Sequence, residues 1–256
     1  MNLSVLQGRL SSPENGYQET PVDWHREFKL LNEVGLSHVE WVITKNQFFN
    51  NPFFTNDLDK FSISAVCADN AVDNNIFNRD FFIGSMYPIC EKSIAHGIDT
   101  VTLPLLDESK VDTDEKKQKI ISLLIECCKR YPQLRINIEA ELDSKNLLDI
   151  ILSHENLKVT YDTGNLTAMN FDHEEYIAET FNHITNVHLK DRKFNKGESQ
   201  ILFEGDTDFD VIFSTLSTLG YKGFFTLQVA REKPGNEIDH IKKIANTFRR
   251  MYEQYF

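Results

Sequence analysis

Cysteine is scarce in this chain, basic clusters are missing and long apolar runs do not occur; each shortage removes a class of protein. The four cysteines, Cys67, Cys90, Cys127 and Cys128, form no C-x-x-C pair and show no framework spacing, so a zinc knuckle is not expected. Adjacent Cys127 and Cys128 lie in the helical pattern IISLLIECCKRY and read as small core or boundary residues. Lysine and arginine total 27 against 39 acidic residues, a formal charge of −12, with no basic stripe. Nucleic acids are held through clustered Lys and Arg, so no nucleic-acid partner is expected. No apolar segment approaches the roughly 18 residues of a membrane-spanning helix. The N-terminal MNLSVLQGRL enters a strand-like run with no charged leader, apolar stretch or cleavage site. A soluble cytoplasmic protein with no membrane partner is the expectation.

What is present is a regular alternation. Strand-like runs occur at Leu3 to Gln7, His38 to Val42, Ser62 to Cys67, Thr100 to Leu103, Leu134 to Glu139, Leu157 to Asp162, Ile184 to His188 and Phe224 to Gln228. Between them lie stretches of 3.6-residue periodicity: Trp24 to Val34, Phe82 to Ala95, Thr113 to Tyr131, Ser144 to Leu152, Glu174 to Thr180, Asp208 to Leu219 and Glu237 to Tyr255. Eight strands alternating with helices imply right-handed crossovers and a closed parallel sheet. The 256 residues suit one such barrel of about 250, so the expected architecture is a single (β/α)8 TIM-barrel domain spanning residues 1–256. Gly35, Gly97 and Gly220 follow helix-like runs, where left-handed C′ residues are expected. The longer polar insertions, Thr44 to Asp57, Asp69 to Asp80, Leu105 to Asp112 and Asp191 to Thr207, come after strands, on the side where this fold builds its pocket.

Four of the strand-like runs end in metal-capable side chains: Glu139, Asp162, His188 and Gln228. A parallel barrel would gather those ends at one rim. Two carboxylates, an imidazole and an amide oxygen form a mixed oxygen and nitrogen set suited to one divalent ion, Mn²⁺, Mg²⁺, Co²⁺ or Zn²⁺. Taken singly, Glu139 also reads as a partner for a rim arginine, and Gln228 as a simple hydrogen-bonding neighbour.

Several strand ends resemble the sugar phosphate isomerase/epimerase family of xylose isomerase-like barrels: VLQGRLS (Val5 to Ser11), VEW (Val39 to Trp41), VCAD (Val66 to Asp69), LPLLDES (Leu103 to Ser109), YDTGN (Tyr161 to Asn165), VHLKDR (Val187 to Arg192), FEGDTDF (Phe203 to Phe209) and FTLQVAR (Phe225 to Arg231). The resemblance implies a metal-assisted reaction on a sugar, sugar phosphate or related polyol, with Glu139, Asp162 and His188 on the metal. It also implies a Glu in many ketose epimerases where this chain has Gln228. An amide supplies an oxygen ligand but exchanges no proton near neutral pH.

Three mechanisms follow. Glu139 as main base shuttles a proton between neighbouring carbons through an enediolate, the ion polarising the carbonyl, and isomerises an aldose and a ketose. Alternatively, Lys190 or Asp191 supplies the second proton-transfer group and epimerisation persists; Lys190 is one strand period from His188. In the third, the metal activates water for hydrolysis or dehydration. A catalytically weakened sugar-binding relative is a further reading, and the endonucleases of the superfamily are disfavoured by the missing basic groove.

The expected substrate contacts are Gln7, Arg9, Glu40, Trp41, Arg192, Glu204 and Arg231. Arg9, Arg192 and Arg231 form a candidate seat for phosphate or carboxylate. Trp41 reads equally as a sugar platform or as core. Asn165 is expected to support the ligand Asp162. His38, His96 and His183 are expected to be structural or exposed, and His25, His154, His173 and His240 to be solvated. A homo-oligomer is compatible with the sequence.

Overall fold

The computed structural model describes residues 2–12, 23–46 and 48–256. Eight strands, β1 (Asn2–Leu6), β2 (His38–Val42), β3 (Ile63–Cys67), β4 (Thr100–Leu105), β5 (Arg135–Ala140), β6 (Leu157–Asp162), β7 (Ile184–Leu189) and β8 (Phe224–Leu227), close into a barrel. Each lies beside its sequence neighbour, and β8 returns to β1. The strand limits agree with the sequence expectation to within two residues. The largest difference is β4, which runs through Pro104 to Leu105 and pairs Pro104 with Glu139.

Backbone packing divides the residues into two units, 1–39 with 161–256, and 40–160. In the first, Ser4, Thr226 and His188 lie in one row across β1, β8 and β7. Helices pack on the other strand face: Phe225 of β8 meets Phe213 and Phe248, which also meet each other at 5.6 Å edge to face. Burial of each such ring stabilises the fold by about 1.5–3 kcal/mol. The helix Trp24–Val34 buries Trp24, Leu30, Leu31 and Val34 and stops at Gly35, whose φ of 71° is the left-handed cap foreseen there. His173 and His240, expected at the surface, are buried instead, because each ring is consumed by internal hydrogen bonds.

In the second unit the helix Asp114–Arg130 is capped by Thr113, whose side chain accepts the Lys116 N–H, and it buries Cys127 and Cys128 as expected. The predicted helix Phe82 to Ala95 begins earlier, at Arg79, and widens into a π turn over Phe82–Met86 before continuing over Tyr87–Ala95. Pro88 lacks the N–H that would answer the Gly84 carbonyl, and a wider turn absorbs that loss. The Thr44 to Asp57 insertion folds into a short turn, Phe48–Asn50, and a helix, Pro52–Thr55, capped by Asn51; its residue 47 lies outside the described residues. Among the described residues no helix is long and apolar enough to cross a membrane.

Candidate metal centre and active site

Alternation along the strands sorts their side chains into two faces. Ile136 and Ile138, Val159 and Tyr161, Val187 and Leu189, and Phe225 and Leu227 form the apolar set, all buried. Asn137 and Glu139, Thr160 and Asp162, Asn186 and His188, and Thr226 and Gln228 form the polar set. Its lower members bond to one another: Asn137 Nδ2 donates to Thr160 Oγ1 at 3.0 Å, and Thr226 Oγ1 donates to Asn186 Oδ1 at 3.0 Å.

One strand period further on, Glu139, Asp162 and His188 each offer a ligand atom, and the three atoms lie within 4.8 Å of one another. Their exposures are 3%, 3% and 0%. Two buried carboxylates at this separation repel unless a cation intervenes. Asp162 is also the N-cap of the helix Thr163–Ala168: its Oδ1 accepts the Asn165 N–H at 2.7 Å. Gln228, just past β8, is tied to β7 by its N–H to Leu189 O at 3.1 Å, and its side-chain Oε1 is buried with no hydrogen-bond partner. The oxygen and nitrogen donors of the three buried residues, with an orphaned amide oxygen at the next strand end, fit a divalent ion.

Beyond His188 the chain is pinned down. Lys190 N–H donates to Thr163 Oγ1 at 3.0 Å, and that hydroxyl donates to Lys190 O at 2.5 Å. Lys190 Nζ donates to Asn165 Oδ1 at 3.1 Å, as does Arg192 Nη1. A Cβ on Gly164 would press within 2.9 Å of the Lys190 stem, so the YDTGN turn is shaped to seat this lysine. Asp191 accepts the Gly205 and Thr207 N–H groups at 2.8 and 3.2 Å, and Gly205 has no room for a side chain against it. The Asp191 carboxylate therefore fastens the Asp191 to Thr207 loop, which carries a two-strand hairpin of Asp191–Arg192 and Ser199–Gln200.

Of the three arginines, two line one cavity. Arg9, Lys190, Ser199, Gln228 and Arg231 surround about 330 Å³ at the end of β8. Arg9 Nε donates to Val229 O at 2.8 Å, and Arg231 donates to Ser11 O at 2.8 Å and to Gly8 O. Arg192 is not among the cavity-lining residues: its Nε donates to Gly197 O at 3.0 Å inside the hairpin.

Residues 28–251 match the xylose isomerase-like TIM barrel family. The chain belongs to that family. No curated protein sequence matches it significantly. Among solved structures, an L-ribulose 3-epimerase superposes with a TM-score of 0.79 at 13% identity, covering 100% of this chain and 96% of the other. The IolI protein with a bound zinc atom gives 0.76 at 15% identity, covering 100% and 99%. The probable 3-DHS dehydratase AsbF from Bacillus anthracis gives 0.71 at 13%, covering 97% and 99%. At these identities the likeness is one of fold.

Within this xylose isomerase-like barrel, Glu40 and Trp41 take opposite faces of β2. Glu40 is fully buried and accepts from Thr102 Oγ1 at 3.4 Å. Trp41 is also fully buried, donating its indole N–H to Asn51 Oδ1 at 3.0 Å and packing near Phe53. It belongs to the core, because the period of two that turns Glu40 inward turns its neighbour outward; an indole with no exposed face offers no sugar platform. Gln7 is buried and Glu204 is exposed.

The sequence reading missed two sets of residues. Cys67, at the end of β3, has a thiol that burial pushes well up, with the charges of Asp69, Glu40 and Glu139 adding to the rise. The other set is the chain Tyr161 Oη to His173 Nδ1 at 2.5 Å, His173 Nε2 to Thr167 Oγ1 at 2.9 Å, and Thr167 to Thr207 at 2.9 Å. Burial drives His173 down to about 4, so the ring is neutral near pH 7. The signal was present in YDTGN and FDH: an Asp that caps a turn, followed ten residues later by a second capping Asp beside His173.

Proposed function

We propose that this chain is a divalent-metal-dependent isomerase or epimerase acting on a sugar or sugar phosphate, with residues 1–256 working as one barrel domain. The observation that carries this reading is the buried group of Glu139, Asp162 and His188, with ligand atoms inside 4.8 Å. Glu139, Asp162, His188 and Gln228 would hold the ion. Bound there, a divalent ion supplies polarisation of a substrate carbonyl.

Glu139 is the main base, taking the proton from the carbon beside the carbonyl. Gln228, being an amide, moves no proton. Return of the proton by Glu139 to the neighbouring carbon, with the hydroxyl proton passing to the former carbonyl oxygen, gives isomerisation. Delivery of a proton by Lys190, held on Asn165, to the original carbon from the opposite face gives epimerisation. Asp191 is the weaker candidate for that second role, because both its oxygens already accept backbone N–H groups. Gln7, Arg9, Glu40 and Arg231 complete the substrate contacts in this reading. The epimerase and zinc-bound neighbours share the fold that presents these strand ends.

The test is a panel of ketoses, aldoses and their phosphates incubated with the protein and Mn²⁺ in D₂O. NMR should reveal deuterium at a carbon next to the carbonyl, and Glu139→Gln should abolish it. A water-derived product with no exchange would replace this reading with hydrolysis or dehydration.

A further inference from the structure

His173 is buried with both ring nitrogens engaged, Nδ1 with Tyr161 Oη at 2.5 Å and Nε2 with Thr167 Oγ1 at 2.9 Å. Burial keeps the ring neutral near pH 7 and keeps the Tyr161 phenol protonated, so a single direction of donation satisfies both ends. Tyr161 O–H donates to Nδ1, and Nε2–H donates to Thr167 Oγ1. The Thr167 hydroxyl gives its own proton to Thr163 O at 2.8 Å, because that carbonyl can only accept. Thr207 Oγ1, 2.9 Å from Thr167 Oγ1, is then a donor to it. His173 therefore heads a buried network that forks at Thr167.

Both branches end on the residues just beyond His188. Thr163 Oγ1 accepts the Lys190 N–H at 3.0 Å and donates to Lys190 O at 2.5 Å, and Thr207 N–H donates to Asp191 Oδ1 at 3.2 Å. Tyr161, Thr163, Thr167, His173 and Thr207 are all buried, and a buried network with every member satisfied rigidifies one arrangement of the groups it holds. We propose that His173 is a positioning residue for the second proton transfer: through Thr167 it sets Thr163 and Thr207, and these hold Lys190 and Asp191. The chemistry rests on the reading of the chain as an isomerase or epimerase. Glu139 takes a proton from the carbon beside the carbonyl, and the Lys190 ammonium gives one to the same carbon from the opposite face. Proton exchange with water returns the protonated Glu139 and the neutral Lys190 to their starting states.

The test is amide hydrogen exchange of the full chain, followed residue by residue by NMR. His173→Phe and Thr167→Val should each speed exchange of the Lys190 and Thr207 N–H groups about tenfold, the weight of roughly one hydrogen bond. Amides of the helix Asp114–Arg130 should keep their natural rates, which separates local loosening from poor folding. His173→Gln, whose amide can accept from Tyr161 and donate to Thr167, should restore slow exchange. With Mn²⁺ and the panel ketose that takes up deuterium, His173→Phe and Thr167→Val should keep the uptake and form the epimer at least about tenfold more slowly. A loss of folded protein would lower both together. Natural exchange rates at Lys190 and Thr207 in both variants, or uptake and epimer falling in step, overturns the proposal. If the natural chain labels no sugar, the isomerase or epimerase reading falls by itself, and amide exchange alone then decides whether His173 holds these two residues.

Discussion

Glu27 and Glu139 are almost equally buried, at 1% and 3% exposure, and their surroundings differ. Glu27 reaches from the helix Trp24–Val34 to accept the Gly8 N–H at 2.8 Å, the Leu10 N–H at 3.3 Å and the Ser11 hydroxyl at 2.9 Å. Burial still raises its carboxyl above the ordinary value, despite those donors and the nearby Arg231. Arg231 grips the carbonyls of Gly8 and Ser11 while Glu27 grips the amides, so the turn after β1 is clamped from both sides. Glu139 instead stands with a second carboxylate and an imidazole inside 4.8 Å. One buried acid finishes a loop, and the other joins a group whose charges call for a cation. Burial alone does not distinguish structural acids from functional ones; the charge of the neighbours does.

The sharpest way to break this contrast is to make the same substitution at both positions. Glu139→Gln should lower turnover by about 10³-fold or more, within the 10²–10⁴ typical of a lost general base together with a weakened ion site, and should reduce bound Mn²⁺; unaltered turnover would put Glu139 in the same class as Glu27. The buried His173 sharpens the comparison from the side of stability. Its folded value of about 4 lies below the ordinary 6.5, so the unfolded chain binds the extra proton between those values. Stability from the neutral ring is complete above pH 6.5 and is lost as pH falls toward 4, by about 3 kcal/mol. Urea midpoints at pH 7 and 4.5 should therefore converge in His173→Gln and diverge in the natural chain.

Glu27→Gln should cost about 1–3 kcal/mol in urea unfolding, because one amide oxygen replaces two carboxylate oxygens facing three donors. Mn²⁺ affinity in that variant should stay within about twofold if Glu27 is structural only. The smallest effect is expected at Trp41→Phe, about 1–2 kcal/mol of stability from the lost indole hydrogen bond and volume, with turnover unchanged. A large rise in KM there would restore the sugar-platform role that its burial denies.

Much of the barrel was legible because parallel strands and amphipathic helices have different periods, and this chain keeps both clean. The helix Thr163–Ala168 was not, since TGNLTA has poor helix formers and every residue of it is buried. It folds because Asp162 caps it and the surroundings enclose it, and neither fact appears as periodicity. The strand-end group was legible as residue types at a common rim; the capping of Asp162, the seat of Lys190 and the fastening of Asp191 were not, because each depends on a partner 3 to 25 positions away. Trp41 shows the remaining limit: the sequence places it beside Glu40, and only the strand's inward and outward alternation separates their roles.

The helix begun by Asp162 has one more consequence. Because Asn165 N–H already fixes one oxygen of that carboxylate, its orientation is set during folding and not on arrival of an ion. Loading and stripping the cation should then leave amide hydrogen exchange through Thr163–Ala168 nearly unaltered, as for a socket moulded before its plug.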